Sequence, residues 1–247
     1  MHYLILADIH ANFQALQAIV DVAGNERVDK YIILGDVVDY GAEPNESLQL
    51  LSKLAPQETV RGDHEKWHTK ILGDDYLSDE ALTACRWTQK HLGKEGFEYI
   101  KSFPAGPRII DKTFMIVHGS YEGEDDYIID NEAVVGNFGK LKTKIGFFGH
   151  THVPVIFCEK SEKQIDAVRV KDGTKEHQLD WNNRYLINPG SAGQPRDHDP
   201  RTSFAIFDSD GMVIKMFRIP YDHETAAKKI VEAGLPADLA QRLIAGF

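Results

Sequence analysis

An α/β fold is predicted by three observations on this sequence. Strand-like and helix-like stretches alternate over the first part of the chain, short β-rich runs crowd the second half, and several apolar runs end in acidic or imidazole side chains. Strand alternating with helix calls for crossover connections, and so for a mainly parallel sheet covered on both faces. The later runs, divided by turn residues, read as antiparallel or mixed strands.

The elements follow in order. Residues 2–7 form a buried strand, and "NFQALQAIV" then repeats Phe13, Leu16, Ile19 and Val20 at helical spacing. "YIILGD" is a second strand, "NESLQLLSKL" a second helix and "ETVRGD" a third strand. From Glu65 to about Ile100 the composition is helical: "SDEALTACRWTQKHL" has Ser78 placed as N-cap and Asp79 and Glu80 in its first turn, with Trp87 as a packing residue. "TFMIVHG" is a strand, "YEGEDD" an acidic loop expected to be a solvated face, residues 130–137 a short helix and "KIGFFGH" a strand. "VPVIFCEK", "QIDAVRV", "YLINPGS", "SFAIFD" and "MVIKMFRIP" complete the β-rich half, with turns at Asp172-Gly173 and Asp210-Gly211. Two helices, about 222–233 and 236–245, close the chain, their apolar positions set to cover the second sheet or a subunit neighbour. With no repeat and no linker composition, residues 1–247 are expected to form a single domain. The helices at 65–100 would be an insertion over one edge, and those at about 222–246 the tail.

The 247 residues, 42% hydrophobic and 27% charged, suffice for a sizeable core. A net charge of -10 argues against nucleic acid as the main partner. A small phosphorylated substrate stays open, because bound metal reverses the local potential. Cys85 and Cys158 are far apart and form no CxxC, so both are expected to be buried small residues in a reducing compartment. No signal peptide or apolar run of membrane-spanning length appears, which points to the cytoplasm without a membrane partner; a homo-oligomer stays open.

The apolar runs end in Asp8-Ile9-His10, Gly35-Asp36, Gly62-Asp63-His64, His118-Gly119 and Gly149-His150-Thr151-His152. In an open α/β sheet the carboxyl ends of parallel strands face one crevice, so these residues are expected to meet. Residues at i and i+2 of an extended chain point to one side, which pairs Asp8 with His10 and His150 with His152. Unneutralised, Asp8, Asp36 and Asp63 would repel one another at high cost, and cations are the economical answer. Mixed oxygen and nitrogen donors without thiolates suit Mn, Fe, Zn or Co. Taken singly, His2, His68 and His177 read as surface or supporting residues.

The pieces "DIH" (8–10), "GD" (35–36), "GDH" (62–64), "VHG" (117–119) and "GHTH" (149–152) resemble, in order, the D-x-H, G-D, G-N-H, H and G-H-x-H pattern of the calcineurin-like metallophosphoesterases. The resemblance spans about residues 1–218, and "WTQKHL" and "NPGSAGQPRDHDPR" are further similar to the small prokaryotic YfcE-like or diadenosine tetraphosphatase-like branch. It implies a four-layer α/β/β/α sandwich of two mixed β-sheets and two divalent ions, Mn or Fe foremost, with Zn, Co or Ni as alternatives. Asp8, His10 and His152 would hold the first ion, Asp36 would bridge, and Asp63, His118 and His150 would hold the second. His64 would contact the phosphate and protonate the leaving oxygen. The implied reaction is hydrolysis of a small phosphate ester, a phosphodiester or nucleotide foremost, by metal-activated hydroxide. Dinucleoside polyphosphates, monoesters and phosphoproteins are alternative substrates. A protein-interaction scaffold on the same fold is the non-enzymatic alternative, against which stand His64 and the seven retained ligand positions.

The family's asparagine is Asp63 here, which can give an oxygen to a metal but no amide hydrogen to phosphate. Asp39 could orient a ligand or a histidine. Asn12 could cap the following helix or touch substrate, and Arg196 and Arg201 could meet a second phosphate or form ion pairs, with His198 a weaker candidate.

Overall fold

From Tyr3 onward β1 (His2–Leu6) is buried, and the strand alternates between two cores. Tyr3, Ile5 and Ala7 face inward to Phe114, Phe147 and Ile187, whereas Leu4 and Leu6 face Leu16, Ile19, Leu48 and Leu51. The computed structural model, which describes residues 1–160, 164–171 and 173–247, extends this alternation to two six-stranded mixed sheets.

The first sheet runs β3 (Glu58–Thr59), β2 (Lys30–Ile33), β1, β11 (Thr202–Asp208), β12 (Val213–Ile219), β9 (Lys175–Gln178). Its β1, β2 and β3 are parallel, with Leu4 opposite Tyr31 and Leu6 opposite Ile33, and the remaining pairs are antiparallel. The second runs β4 (Arg108–Ile110), β5 (Phe114–Ile116), β6 (Ile145–Phe147), β10 (Arg184–Asn188), β7 (Val155–Glu159), β8 (Ile165–Arg169), with β5, β6 and β10 parallel. Apolar side chains of the two inner faces fill the space between the sheets.

Helices α1 (Phe13–Ala23), α2 (Pro44–Leu54) and α5 (Lys94–Lys101) cover the outer face of the first sheet, and α6 (Asn131–Lys140) covers the second through Val134 and Phe138. The result is the α/β/β/α sandwich. Helix α4 (Asp79–His91) starts at the Ser78 cap, whose hydroxyl accepts from Ala81 N–H at 3.2 Å. Trp87 packs as expected and ties α4 to the tail, its indole donating to the Ala233 carbonyl at 2.9 Å.

Four expectations need correction. The tail helices α7 (His223–Glu232) and α8 (Ala237–Ala245) do not lie on the second sheet: Ala226, Ile230, Leu239 and Leu243 pack with Ala15, Ala81 and Ala84 of α1 and α4. "ETVRGD" pairs as a strand only over Glu58–Thr59, because Arg61 N–H turns away to the Pro104 carbonyl at 2.9 Å and α3 (Asp63–His68) begins at once. Cys85 is buried, but Cys158 on β7 is only half-buried. Edge strands β4 and β9 were not foreseen. The expected turn at Asp210-Gly211 joins β11 to β12, while Asp172 of the other turn lies outside the described residues. Among the described residues no helix is long and apolar enough to cross a membrane.

Candidate metal centre

The strand ends converge through left-handed backbone. Asp8 (φ 54°), His10 (47°), Asp36 (53°), Asp39 (70°), Tyr40 (63°), His150 (63°) and His152 (58°) all occupy the region that side chains disfavour. Each such residue costs on the order of 1–3 kcal/mol and persists where the surroundings over-determine it. The pairing of Asp8 with His10 and of His150 with His152 is therefore the work of tight turns, which corrects the expected extended pleat. Gly35 (φ 93°) admits the closest approach: a Cβ there would lie 2.5 Å from Gly62 N and 2.9 Å from His118 Nδ1.

Two groups of donors result. Asp8, His10, Asp36 and His152 bring one ligand atom each to within 4.8 Å of one another, as do Asp36, Asp63, His118 and His150, and all seven residues are buried. Asp36 belongs to both groups, its Oδ2 lying 3.6 Å from His10 Nε2 and 3.3 Å from His118 Nε2. Asp63 Oδ1 is 3.2 Å from His118 Nε2 and 3.1 Å from His150 Nδ1, and Asp8 Oδ1 is 3.6 Å from His152 Nε2.

Backbone carbonyls select the tautomers. Nδ1 of His10 lies 3.1 Å from the Val38 oxygen, Nδ1 of His118 lies 2.7 Å from that of Leu34 and Nδ1 of His152 lies 2.5 Å from that of Gln194. A carbonyl only accepts, so each Nδ1 donates, and a neutral ring turns its Nε2 lone pair inward. Burial pushes His10 down to about 3, and burial with the Arg196 charge holds His152 well below the usual imidazole range. Their two Nε2 atoms then face each other at 3.2 Å with no hydrogen to share. A cation would resolve that opposition, and the oxygen and nitrogen donor set fits a pair of divalent ions, with Asp36 common to both groups.

Protons compete for the same place. Burial, with the Asp36 charge, pushes the Asp8 carboxyl up to about 7. Burial lowers His118, but Asp36 and Asp63 outweigh it and hold the ring well above its ordinary range. Both groups are thus protonated in the metal-free protein below about pH 7, and a cation must displace those protons. Mn affinity of stripped protein, measured by calorimetry from about pH 5.5 to 8, should fall by about tenfold per pH unit below 7 for each proton displaced. A flat profile would contradict this account of the donor set.

The supports include residues that the sequence reading missed. Glu65, in the first turn of α3, accepts the N–H groups of Asp36, Val37 and Gly62, each at 2.8 Å, and so ties the second strand end to the third. Glu65 lies three residues after the Gly62 cap and makes the returning half of a capping box, but Gly62 has no side chain for the other half, so the sequence lacks the usual signature. Glu65→Ala leaves three buried donors unpaired, each worth about 1–3 kcal/mol, so a melting temperature about 6 °C or more below wild type is expected. Ser191 Oγ donates to the Asp8 carbonyl at 2.8 Å, and Asn188 Nδ2 to the Gly149 carbonyl at 2.8 Å, so the "NPGS" turn steadies the first and last strand ends.

His64 stands beside the shared carboxylate, its N–H donating to Asp36 Oδ1 at 3.2 Å. Its Nδ1 lies 2.8 Å from Asp39 Oδ2, and Nε2 has no hydrogen-bond partner among the described residues. Asp39 also meets His68 Nε2 at 2.9 Å and Cys85 Sγ at 3.1 Å. Burial opposes the Asp39 charge, but the His68 and His64 imidazoles outweigh it and hold the carboxyl well below its usual range. Burial likewise lowers His64, and Tyr40, Asp36, Cys85 and Asp39 outweigh it, leaving the ring well above its ordinary range. His68 is a buried support, and burial raises the Cys85 thiol to about 12.

The remaining candidates separate. Asn12 is buried, caps α1 by accepting from Ala15 N–H at 3.1 Å, and spends its amide on the Gly193 carbonyl (2.7 Å) and the Tyr221 hydroxyl (3.1 Å). The structure thereby realises the capping alternative and leaves no amide donor for substrate. Arg201 pairs with Asp199 at 2.6 Å, the ion-pair alternative. Arg196 donates to Gln194 Oε1 at 3.1 Å, and its guanidinium lies 6.0 Å from the Tyr40 ring, which itself packs on His10 and His64. The helical stretch after Glu65 does reach the site, through Cys85.

The acidic loop is the solvated face expected of it only at Glu122 and Asp126, whereas Glu124 and Asp125 turn to partners in the protein. Buried Lys66 contacts Asp125 at 2.6 Å and Glu124 at 3.2 Å, Arg61 contacts Glu124 at 3.4 Å, and Gly106 N–H donates to Glu124 Oε1 at 3.1 Å. Tyr127, directly after the loop, lies flat on His150, ring centroids 4.0 Å apart at 18°.

Fold and donor geometry together define a dinuclear phosphoesterase architecture. Residues 1–212 match the calcineurin-like phosphoesterase superfamily domain, and the chain belongs to that family. It is 33% identical to an uncharacterised protein of Methanocaldococcus jannaschii over 254 residues, covering 98% of this chain and 97% of the relative. A metallophosphoesterase from Sphaerobacter thermophilus, 37% identical, superposes with a TM-score of 0.87 over 100% of both chains. A hypothetical protein from Pyrococcus horikoshii shares the fold at a TM-score of 0.75 and 22% identity, covering 100% of this chain and 98% of that one.

Proposed function

We propose that this protein is a cytoplasmic phosphoesterase of the YfcE-like or diadenosine tetraphosphatase-like branch that hydrolyses small phosphodiesters or nucleotides with two divalent cations, Mn or Fe foremost. The observation that carries this reading is the shared Asp36 between two four-residue donor groups, one of which sets two Nε2 lone pairs face to face. Bound there, divalent cations supply Lewis-acid stabilisation of phosphate oxygens and a water made nucleophilic near neutral pH.

The chain's own groups divide the remaining work. Asp8, His10 and His152 on one side and Asp63, His118 and His150 on the other would hold the cations, with Asp36 common to both groups. Asp39 fixes the His64 ring through Nδ1 and favours its charged form, which leaves Nε2 to hand a proton to the departing oxygen. Arg196, beside the first group, offers a cation to a further anionic part of the substrate. Asp63 supports the diester preference, since its charge repels a dianionic monoester more than a monoanionic diester.

Stripped protein given Mn, Fe, Zn, Co and Mg separately, against a panel of phosphate esters, tests the reading. Diesters or nucleotides should turn over with Mn or Fe and remain intact without metal. No hydrolysis with any metal would end the enzymatic reading, and a strong preference for monoesters or phosphopeptides would end the assignment of ester class.

A further inference from the structure

Two half-exposed tyrosines flank the donor groups on one side. Tyr127 is 46% exposed although its ring lies on buried His150 at 4.0 Å and 18°, so one face is fixed and the other is open. Tyr76, 48% exposed, ends the short 3-10 turn Asp74–Tyr76, and its hydroxyl donates to the Asp125 carbonyl at 3.2 Å, two residues before Tyr127. Exposed tyrosines are ordinarily mobile, but these are held. Trp67 Nε1 of α3 donates to Asp74 Oδ1 at 2.9 Å, and Lys66 of the same helix grips Glu124 and Asp125. One helix that starts with Asp63 and His64 thus pins both aromatic segments beside the reacting centre. Rings ordered in advance bind a flat ligand at little entropic cost.

Charge frames the site. Arg196 stands over Tyr40 beside His10 and His152 and is also the foremost charge acting on Tyr127, so it draws the anionic part of an ester to this place, while the tyrosine rings offer a neutral surface to a planar group.

We propose that Tyr127 and Tyr76 form a stacking subsite for the nucleobase of a nucleotide-type ester, beside Asp63 and His150. This rests on the phosphoesterase reading and narrows its substrate class. Tyr127 is the platform, and Tyr76 borders it and steadies its loop.

Binding of the methyl esters of the non-hydrolysable methylenephosphonate analogues of adenosine monophosphate and of ribose 5-phosphate, monoanionic diester mimics that differ in the base, tests this by calorimetry on the Mn-loaded protein. The adenosine ligand should bind about tenfold tighter to wild type, within the range that base stacking on an aromatic ring provides. Tyr127→Ala should collapse that ratio to about one, Tyr127→Phe should restore it, and Tyr76→Ala should reduce it, with metal content as the control for folding. A wild-type ratio near one, or a ratio that survives Tyr127→Ala, overturns the subsite while phosphonate binding leaves the phosphoesterase reading standing. Failure of both phosphonates to bind, with no ester hydrolysed, overturns both.

Discussion

Asp36→Asn is expected to lower phosphate ester hydrolysis by about a thousandfold, because several kcal/mol of metal-ion stabilisation depend on that carboxylate. Asp36 alone belongs to both donor groups, and its Oδ2 lies between His10 Nε2 and His118 Nε2. The amide keeps the shape of the side chain and leaves the backbone N–H on Glu65, so the variant should fold. What it loses is the negative charge that two cations would share. Metal analysis after equilibration with Mn should give about one ion per chain or fewer, from about two in wild type. An Asp36→Asn protein that keeps both ions and most of its turnover would show that the carboxylate does not bridge.

His64→Ala separates proton transfer from metal binding. His64 supplies no atom to either donor group, and its Nδ1 is committed to Asp39, so metal content should survive. Turnover of esters with poor leaving groups should fall by about 10²- to 10⁴-fold, the usual worth of a positioned general acid. A nitrophenyl ester, whose leaving group departs without protonation, should lose far less. Equal losses on both kinds of ester would remove the acid role, and loss of metal would mean that His64 acts by holding the donor groups. The sign of its pH response also follows. With His64 held well above its ordinary range, hydrolysis of poor leaving groups should decline only as pH rises above the usual imidazole range, the reverse of the proton competition at Asp8.

Much of this centre was legible because metal-binding chemistry restricts residue types. Asp8, His10, Asp36, Asp63, His118, His150 and His152 sit at the ends of apolar runs, and topology brings those ends together. How they converge was not legible: the sequence pattern fits an extended pleat, and only the backbone reveals left-handed positions at five of the seven, Asp8, His10, Asp36, His150 and His152. Glu65 follows a glycine cap and so lacks the full capping-box signature, and His68 and Cys85 meet Asp39 from different segments and leave no local trace. In the fold, strands with an apolar interior such as β1 and β11 announce themselves, while β9, spelled Lys-Glu-His-Gln, is a polar edge held by β12 through backbone pairing. The tail misled for a related reason. Its apolar stripe shows that it packs, but Ala226, Ala227 and Ala240 fit a helical neighbour with small side chains, and α1 and α4 supply Ala15, Ala81 and Ala84. The acidic loop read as solvated because its partners, Lys66 and Arg61, lie some sixty residues away.

Anomalous diffraction from crystals soaked in Mn tests the central claim most directly. Two peaks are expected on either side of Asp36, one among Asp8, His10 and His152 and the other among Asp63, His118 and His150. A single peak, none, or density at the neighbouring Asp39, His68 and Cys85 group instead would contradict it.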